Sequence, residues 1–164
     1  MTPHEFRAKW SQSPGSERQT YQEHFRDLCD LLGQPRPSAA DRADLDYTFE
    51  KPVTKAGGGQ GFADVWRRGC FGWEYKAREA DLAGAHVQLL GYMNDLENPP
   101  LLVVSTPQLI RIYPTFQNQR IDPIDVRVED IDDPAHRDIL LRVFTDPLSF
   151  GRPKVSDEVT KAAA

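Results

Sequence analysis

The spacing of apolar residues changes several times along the chain, and each change marks an element. Tyr21, Phe25, Leu28 and Leu32 recur at helical spacing, with Cys29 beside them and Gly33 as a stop, which predicts a helix over 17–32. Upstream, Phe6 and Trp10 lie four apart in a polar stretch, enough for a short helix packed on the domain. Residues 34–46 read as a polar, proline-bearing loop. YTFEKPV at 47–53 is aromatic and β-branched, as a strand requires. FADVW and CFGWEYK make two further strands, turned at RRG. Helical spacing returns with Leu82, Ala85, Leu89, Tyr92 and Leu96, predicting a long helix over 78–96 that Asn98-Pro99-Pro100 ends. LLVVS at 101–105 is a continuous apolar run, expected of a strand buried on both faces. LIRIYPTF at 109–116 alternates like a strand nearer an edge, and IDVRVEDI leads into a last helix over about 134–144 that carries Ile139, Leu140, Val143 and Phe144.

The order helix, three strands, helix, two strands, helix predicts an α/β fold. The first three strands can form a meander, and the 78–96 helix then crosses over to a strand parallel to the sheet. The expected architecture is a three-layer α/β/α sandwich around a central mixed sheet. Residues 1–150 make a single domain, and the polar 151–164 segment, ending in KAAA, reads as a linker toward a missing downstream region. A chain of 164 residues, 39% hydrophobic and 27% charged, can bury a real core. No apolar run approaches the roughly 20 residues of a membrane span, and the N-terminus has no secretory signal pattern. Cys29 and Cys70 form neither a zinc pattern nor a disulfide framework, so reduced thiols and a cytoplasmic location are expected.

One hairpin carries charge where apolar residues would be expected. Glu74 and Lys76 lie two apart on one strand and project together, with Trp73 and Tyr75 on the other side. Asp64, on the preceding strand, shares their face if that strand bends. Two converging carboxylates repel unless a cation sits between them. Hard oxygen ligands suit Mg²⁺, with Mn²⁺ as a substitute, and the backbone carbonyl of Tyr75 is a further candidate ligand. The Lys76 ammonium would then hold and help deprotonate the attacking water, or stabilise transition-state charge. Together these parts make a phosphodiester hydrolase. The competing reading is an exposed Glu–Lys pair on a solvated hairpin.

Asp64, nine intervening residues and Glu74-Tyr75-Lys76 resemble the PD-(D/E)xK nuclease signature, and the element order resembles that fold's αβββαβ core. The longer text YTFEKPVTKAGGGQGFADVWRRGCFGWEYK resembles the N-terminal region of MmeI-like type IIL (type IIG-related) restriction–modification enzymes, as do ENPPLLVVS and FTDP. The resemblance spans roughly residues 4–150. It implies a Mg²⁺-dependent DNA endonuclease domain, prokaryotic and cytoplasmic, followed in the same polypeptide by an adenine-specific methyltransferase and a target-recognition domain. It also implies a role for Gln88 beside the metal or its water, for Tyr92 toward DNA, and for Glu23 as an outer metal ligand. Tyr92 is equally in register with Leu89 and Leu96 for a core position, and Glu23 and His24 are equally compatible with a solvated helix face.

The net charge of −5 argues against independent high-affinity binding to nucleic acid, though not against a nuclease whose neighbour supplies affinity. Lys51, Lys55, Arg67, Arg68 and Arg78 cluster in sequence around the hairpin and are candidates for contacting phosphates of double-stranded DNA. The glycine-rich stretch TKAGGGQG lacks the Gly-Lys-Ser/Thr ending of a P-loop and reads as a hairpin connection. Asn98-Pro99-Pro100 imitates a methyltransferase motif, but Leu101 follows where an aromatic belongs and no cofactor loop precedes it, so no S-adenosylmethionine site is expected in this chain. Cleaving both strands implies self-association of two such sites. Two other functions share these residues: a catalytically silent nuclease-like docking module, and a repair-type structure-specific nuclease.

Overall fold

The computed structural model describes residues 1–13, 18–37, 46–55 and 57–151, with only the backbone for residues 18 and 19. The expected linker over 151–164 therefore lies, apart from Gly151, outside the described residues. Helix α1 (Pro3–Trp10) begins on a reciprocal cap: the Glu5 N–H donates to Thr2 Oγ1, and the Thr2 N–H donates to the Glu5 carboxylate. Its Phe6 and Trp10 are buried, and it packs beside α2 (Arg18–Leu32). Three strands follow, β1 (Tyr47–Thr54), β2 (Gln60–Arg67) and β3 (Phe71–Tyr75). Helix α3 (Leu82–Leu90) leads to β4 (Leu101–Ser105) and β5 (Leu109–Pro114). A sixth strand, β6 (Ile124–Arg127), precedes the last helix, α4 (Pro134–Thr145).

The six strands form one sheet in chain order. β3 and β4 run parallel, joined by the α3 crossover, and every other neighbouring pair is antiparallel. On the central strands Phe71, Trp73, Leu101 and Val103 face a core built with α1, α2 and α4. Leu102 and Val104 face a second core built with Leu82, Ala85 and Leu89 of α3. Helices thus cover both faces of the sheet. At Gly72 a Cβ would sit 2.8 Å from Leu96 Cδ1, so only glycine lets that leucine lie against the strand.

Two sequence expectations need correction. The helix expected over 78–96 is shorter: a 3-10 turn at Glu79–Asp81 leads into α3, which stops at Leu90. Beyond Gly91 the chain continues as tight turns, with the N–H of Tyr92 bonded to the carbonyl of Leu89, and it exits through left-handed Glu97 and Asn98. The apolar face still carries through, because Tyr92 and Leu96 remain buried. The segment IDVRVEDI leads to the last helix as expected but also holds a sixth strand that the sequence order omitted. Ile124 and Val126 alternate with Asp125 and Arg127, a period of two, and this stretch pairs antiparallel with β5. A two-pronged Arg111–Asp125 bridge at 2.8 and 3.1 Å fixes that pairing. Both cysteines are free, and no described helix is long and apolar enough to cross a membrane.

Candidate active site

The bend required of β2 is present and has a visible cause. The β1–β2 ladder pairs Phe49 with Val65 and Lys51 with Ala63 but skips the pair between them, Glu50 and Asp64. Glu50 has φ 53°, a left-handed conformation unusual for a non-glycine residue. The sidedness of both strands switches across this defect. Phe49 and Val65 pack with α2, whereas Val53 and Ala63, at positions of the same parity beyond the defect, pack with α3. Asp64 sits at the switch. Its Oδ2 accepts the backbone N–H of Tyr75 at 2.7 Å, just beyond the last β2–β3 pair, Val65–Trp73.

That bond holds Asp64 beside Glu74, close enough for each carboxyl group to feel the other's charge. Glu74 keeps only 7% of its surface exposed, and its Oε2 has no hydrogen-bond partner. Burial raises the pKa of both carboxyls. The Asp64 charge raises Glu74 further, to well above the usual carboxylate range. At Asp64 the Tyr75 N–H, Glu74 and Lys76 pull the other way, while Glu50 adds to the rise. The Lys76 N–H extends the parallel pairing by donating to the Ser105 carbonyl at 2.8 Å, and its Nζ donates to Gln88 Oε1 of α3 at 3.3 Å.

Asp64, Glu74, Tyr75, Lys76 and Gln88 all line one cleft of about 580 Å³ at the carboxyl end of β3 and β4. Tyr21, Glu50, Phe62, Lys55, Gly61 and Tyr92 also line it. Lys55 and Gly59 close the glycine-rich hairpin with a 2.9 Å backbone bond. A Cβ on Gly61 would crowd Lys55 at 3.1 Å and the Tyr92 hydroxyl at 3.2 Å, so the missing side chain lets this hairpin lie close over the cleft. Tyr92 is thus both a core residue and a wall of the cleft.

Behind the cleft a chain of hydrogen bonds anchors β3. Trp73 Nε1 donates to Ser105 Oγ at 2.9 Å, on the strand paired with β3. The Tyr75 hydroxyl meets His24 Nδ1 at 2.9 Å, and His24 Nε2 meets the Pro107 carbonyl at 3.1 Å. A carbonyl only accepts, so Nε2 carries the proton and Tyr75 donates to Nδ1. His24 is therefore not a solvated residue. It is fully buried, and burial pushes its pKa down to about 4.

Several other candidates lie away from the cleft. Glu23 is exposed on α2, bridged to Lys9 at 2.7 Å, and is not among the residues that line the cleft. Lys51 lies over the Trp66 ring at 4.2 Å and Arg67 over the Tyr47 ring at 5.0 Å. Arg68 bridges Asp46 and Glu97, and Arg78 pairs with Asp81. Arg67 and Arg68 belong to the closed end of the β2–β3 hairpin, roughly 10 and 13 Å along the chain from Asp64 at about 3.3 Å per residue. Of the six residues considered for DNA contact, Lys55 and Tyr92 line the cleft. Glu50 and Tyr21 have no marker in the sequence, because the ladder defect leaves the simple alternation of 47–53 undisturbed.

The donor set suits a hard divalent cation. Two adjoining carboxylates, one with an orphaned buried oxygen, gain from a positive charge between them, and the Tyr75 carbonyl is a neighbouring oxygen. Among the described residues no group of three or more His, Cys, Asp or Glu side chains is arranged to hold an ion together. Compared with known proteins, the chain matches the family model described as MmeI, N-terminal domain, over residues 1–163. No curated protein and no solved structure matches it.

Proposed function

The chain belongs to the MmeI N-terminal domain family, and from that premise and the acidic cleft we propose that it is the Mg²⁺-dependent endonuclease domain of a restriction–modification enzyme, hydrolysing phosphodiester bonds of double-stranded DNA. The observation that carries the reading is the orphaned Glu74 Oε2 beside Asp64, with the Lys76 ammonium in the same cleft. The meander β1–β2–β3 followed by the α3 crossover to β4 supports a PD-(D/E)xK arrangement.

Asp64 and Glu74 would hold the ion, with the Tyr75 carbonyl as a further oxygen. Mg²⁺, or Mn²⁺ in its place, supplies positive charge to the scissile phosphate and acidifies water when bound. Lys76, steered by Gln88 Oε1, offers its N–H donors to the attacking water and to the charge growing on the phosphoryl oxygens. Lys55 and Tyr92 flank the strand being cut. With a net charge of −5 the domain relies on its neighbours for affinity: a methyltransferase, which binds the S-adenosylmethionine this domain does not, and a target-recognition domain. Cutting both strands calls for two copies of the cleft. The setting is the prokaryotic cytoplasm.

The test is Lys76→Ala in the full-length enzyme. Plasmid cleavage falls by roughly 10³-fold or more, while the circular dichroism spectrum and DNA affinity stay as in the wild type. Loss of DNA binding instead would make Lys76 an affinity residue. Unchanged cleavage would leave the fold as a silent docking module.

A further inference from the structure

Glu50 is the third carboxylate of the cleft, and nothing in the reaction assigned above uses it. It stands opposite Asp64 at the skipped position of the β1–β2 ladder. Its φ of 53° is strained for a residue with a side chain, and it falls where the ladder skips a pair. Its carboxylate is also held. Tyr21 donates its hydroxyl to Glu50 Oε1 at 3.3 Å, and Gln22 Nε2 donates to the Tyr21 oxygen at 3.2 Å. Strain and a prepared hydrogen-bond chain together fix an acidic group beside a pair that already repels itself.

We infer that Glu50 is a positioning residue of the cation site, accepting hydrogen bonds from water on the ion that Asp64 and Glu74 hold. The inference rests on the reading of this cleft as a cation-dependent centre. Two features set the role. The unpartnered oxygen of Glu74, on a side chain with 7% exposure, marks where positive charge is missing. Among the described residues no three carboxylates are arranged to hold an ion together, which leaves Glu50 the place one water removed from it. It is also the exposed member of the three, with access to water that the buried Glu74 lacks. A carboxylate one water away from the ion still adds attraction and orients the bound water.

The experiment uses the 164-residue chain and Mn²⁺ alone, titrated by calorimetry and by the electron paramagnetic resonance signal of free Mn²⁺. Glu50→Gln and Glu50→Gly weaken Mn²⁺ binding by about tenfold, and Tyr21→Phe weakens it less. Glycine accepts the left-handed backbone, so metal-free Glu50→Gly melts no lower than the wild type, and its lost affinity is not a folding defect. Glu74→Gln abolishes binding and serves as the control for the cleft itself. If both Glu50 variants bind Mn²⁺ as the wild type does while Glu74→Gln does not, the role of Glu50 is overturned and the cation site stands. If the wild type takes up no Mn²⁺, the cation site falls and Glu50 falls with it.

Discussion

The two ends of the β2–β3 hairpin treat charge in opposite ways. At the closed end Arg68 bridges Asp46 and Glu97, and the Arg67 guanidinium lies over Tyr47. Acidic partners meet Arg68, which is exposed to solvent, and Arg67 stands on a ring face with its buried Nη1 unpartnered and no second like charge pressed against it. At the open end Asp64 and Glu74 are pressed together out of water, and one Glu74 oxygen has no partner. Paired surface charge is cheap and does little, whereas a buried like-charged pair costs stability unless a ligand repays it. Charge that is expensive where it stands is the better guide to function.

The largest effect should come from removing that cost. The Glu74 pKa is raised in the fold, so the stability present below its ordinary value of 4.5 is lost as pH rises through the folded value. Glutamine cannot ionise, yet its amide can still donate to Asp64. Metal-free Glu74→Gln should therefore match the wild type near pH 4.5 and exceed it by roughly 1–3 kcal/mol at pH 8.5. Denaturant melts in EDTA at the two pH values read this directly, and an equal gain at both would mean that the pair is not strained by charge. The smallest effect belongs to the closed end. Arg68→Ala should leave cleavage by the full-length enzyme within about twofold of the wild type, since exposed pairs contribute little. A large loss of cleavage would place that turn on the DNA and erase the contrast between the two ends.

Much of this was legible in the chain. Glu74 and Lys76 alternate with Trp73 and Tyr75, so their shared face followed from strand geometry, and the crossover followed from a helical stripe set between strands. The remainder depended on contacts between distant segments. The left-handed Glu50 leaves no trace in the alternation of Tyr47, Phe49 and Val53, although the defect it makes is what turns Asp64 toward Glu74. Arg67 and Arg68 follow Asp64 closely in sequence, but a strand carries them toward the opposite end of the hairpin. β6 was hidden because its four residues run straight into a turn and a helix. His24 looked like a polar helix position, and its burial depends on α1 and on the loop at Pro107, both far away in sequence.

The most direct measurement is a crystal of the domain soaked in Mn²⁺, with anomalous diffraction recorded at the manganese edge. The expected result is a peak between the carboxylates of Asp64 and Glu74, absent from Glu74→Gln crystals grown in the same form. A map with no peak there, or with manganese only at unrelated surface carboxylates, would contradict the assignment of this cleft as a cation-dependent nuclease centre.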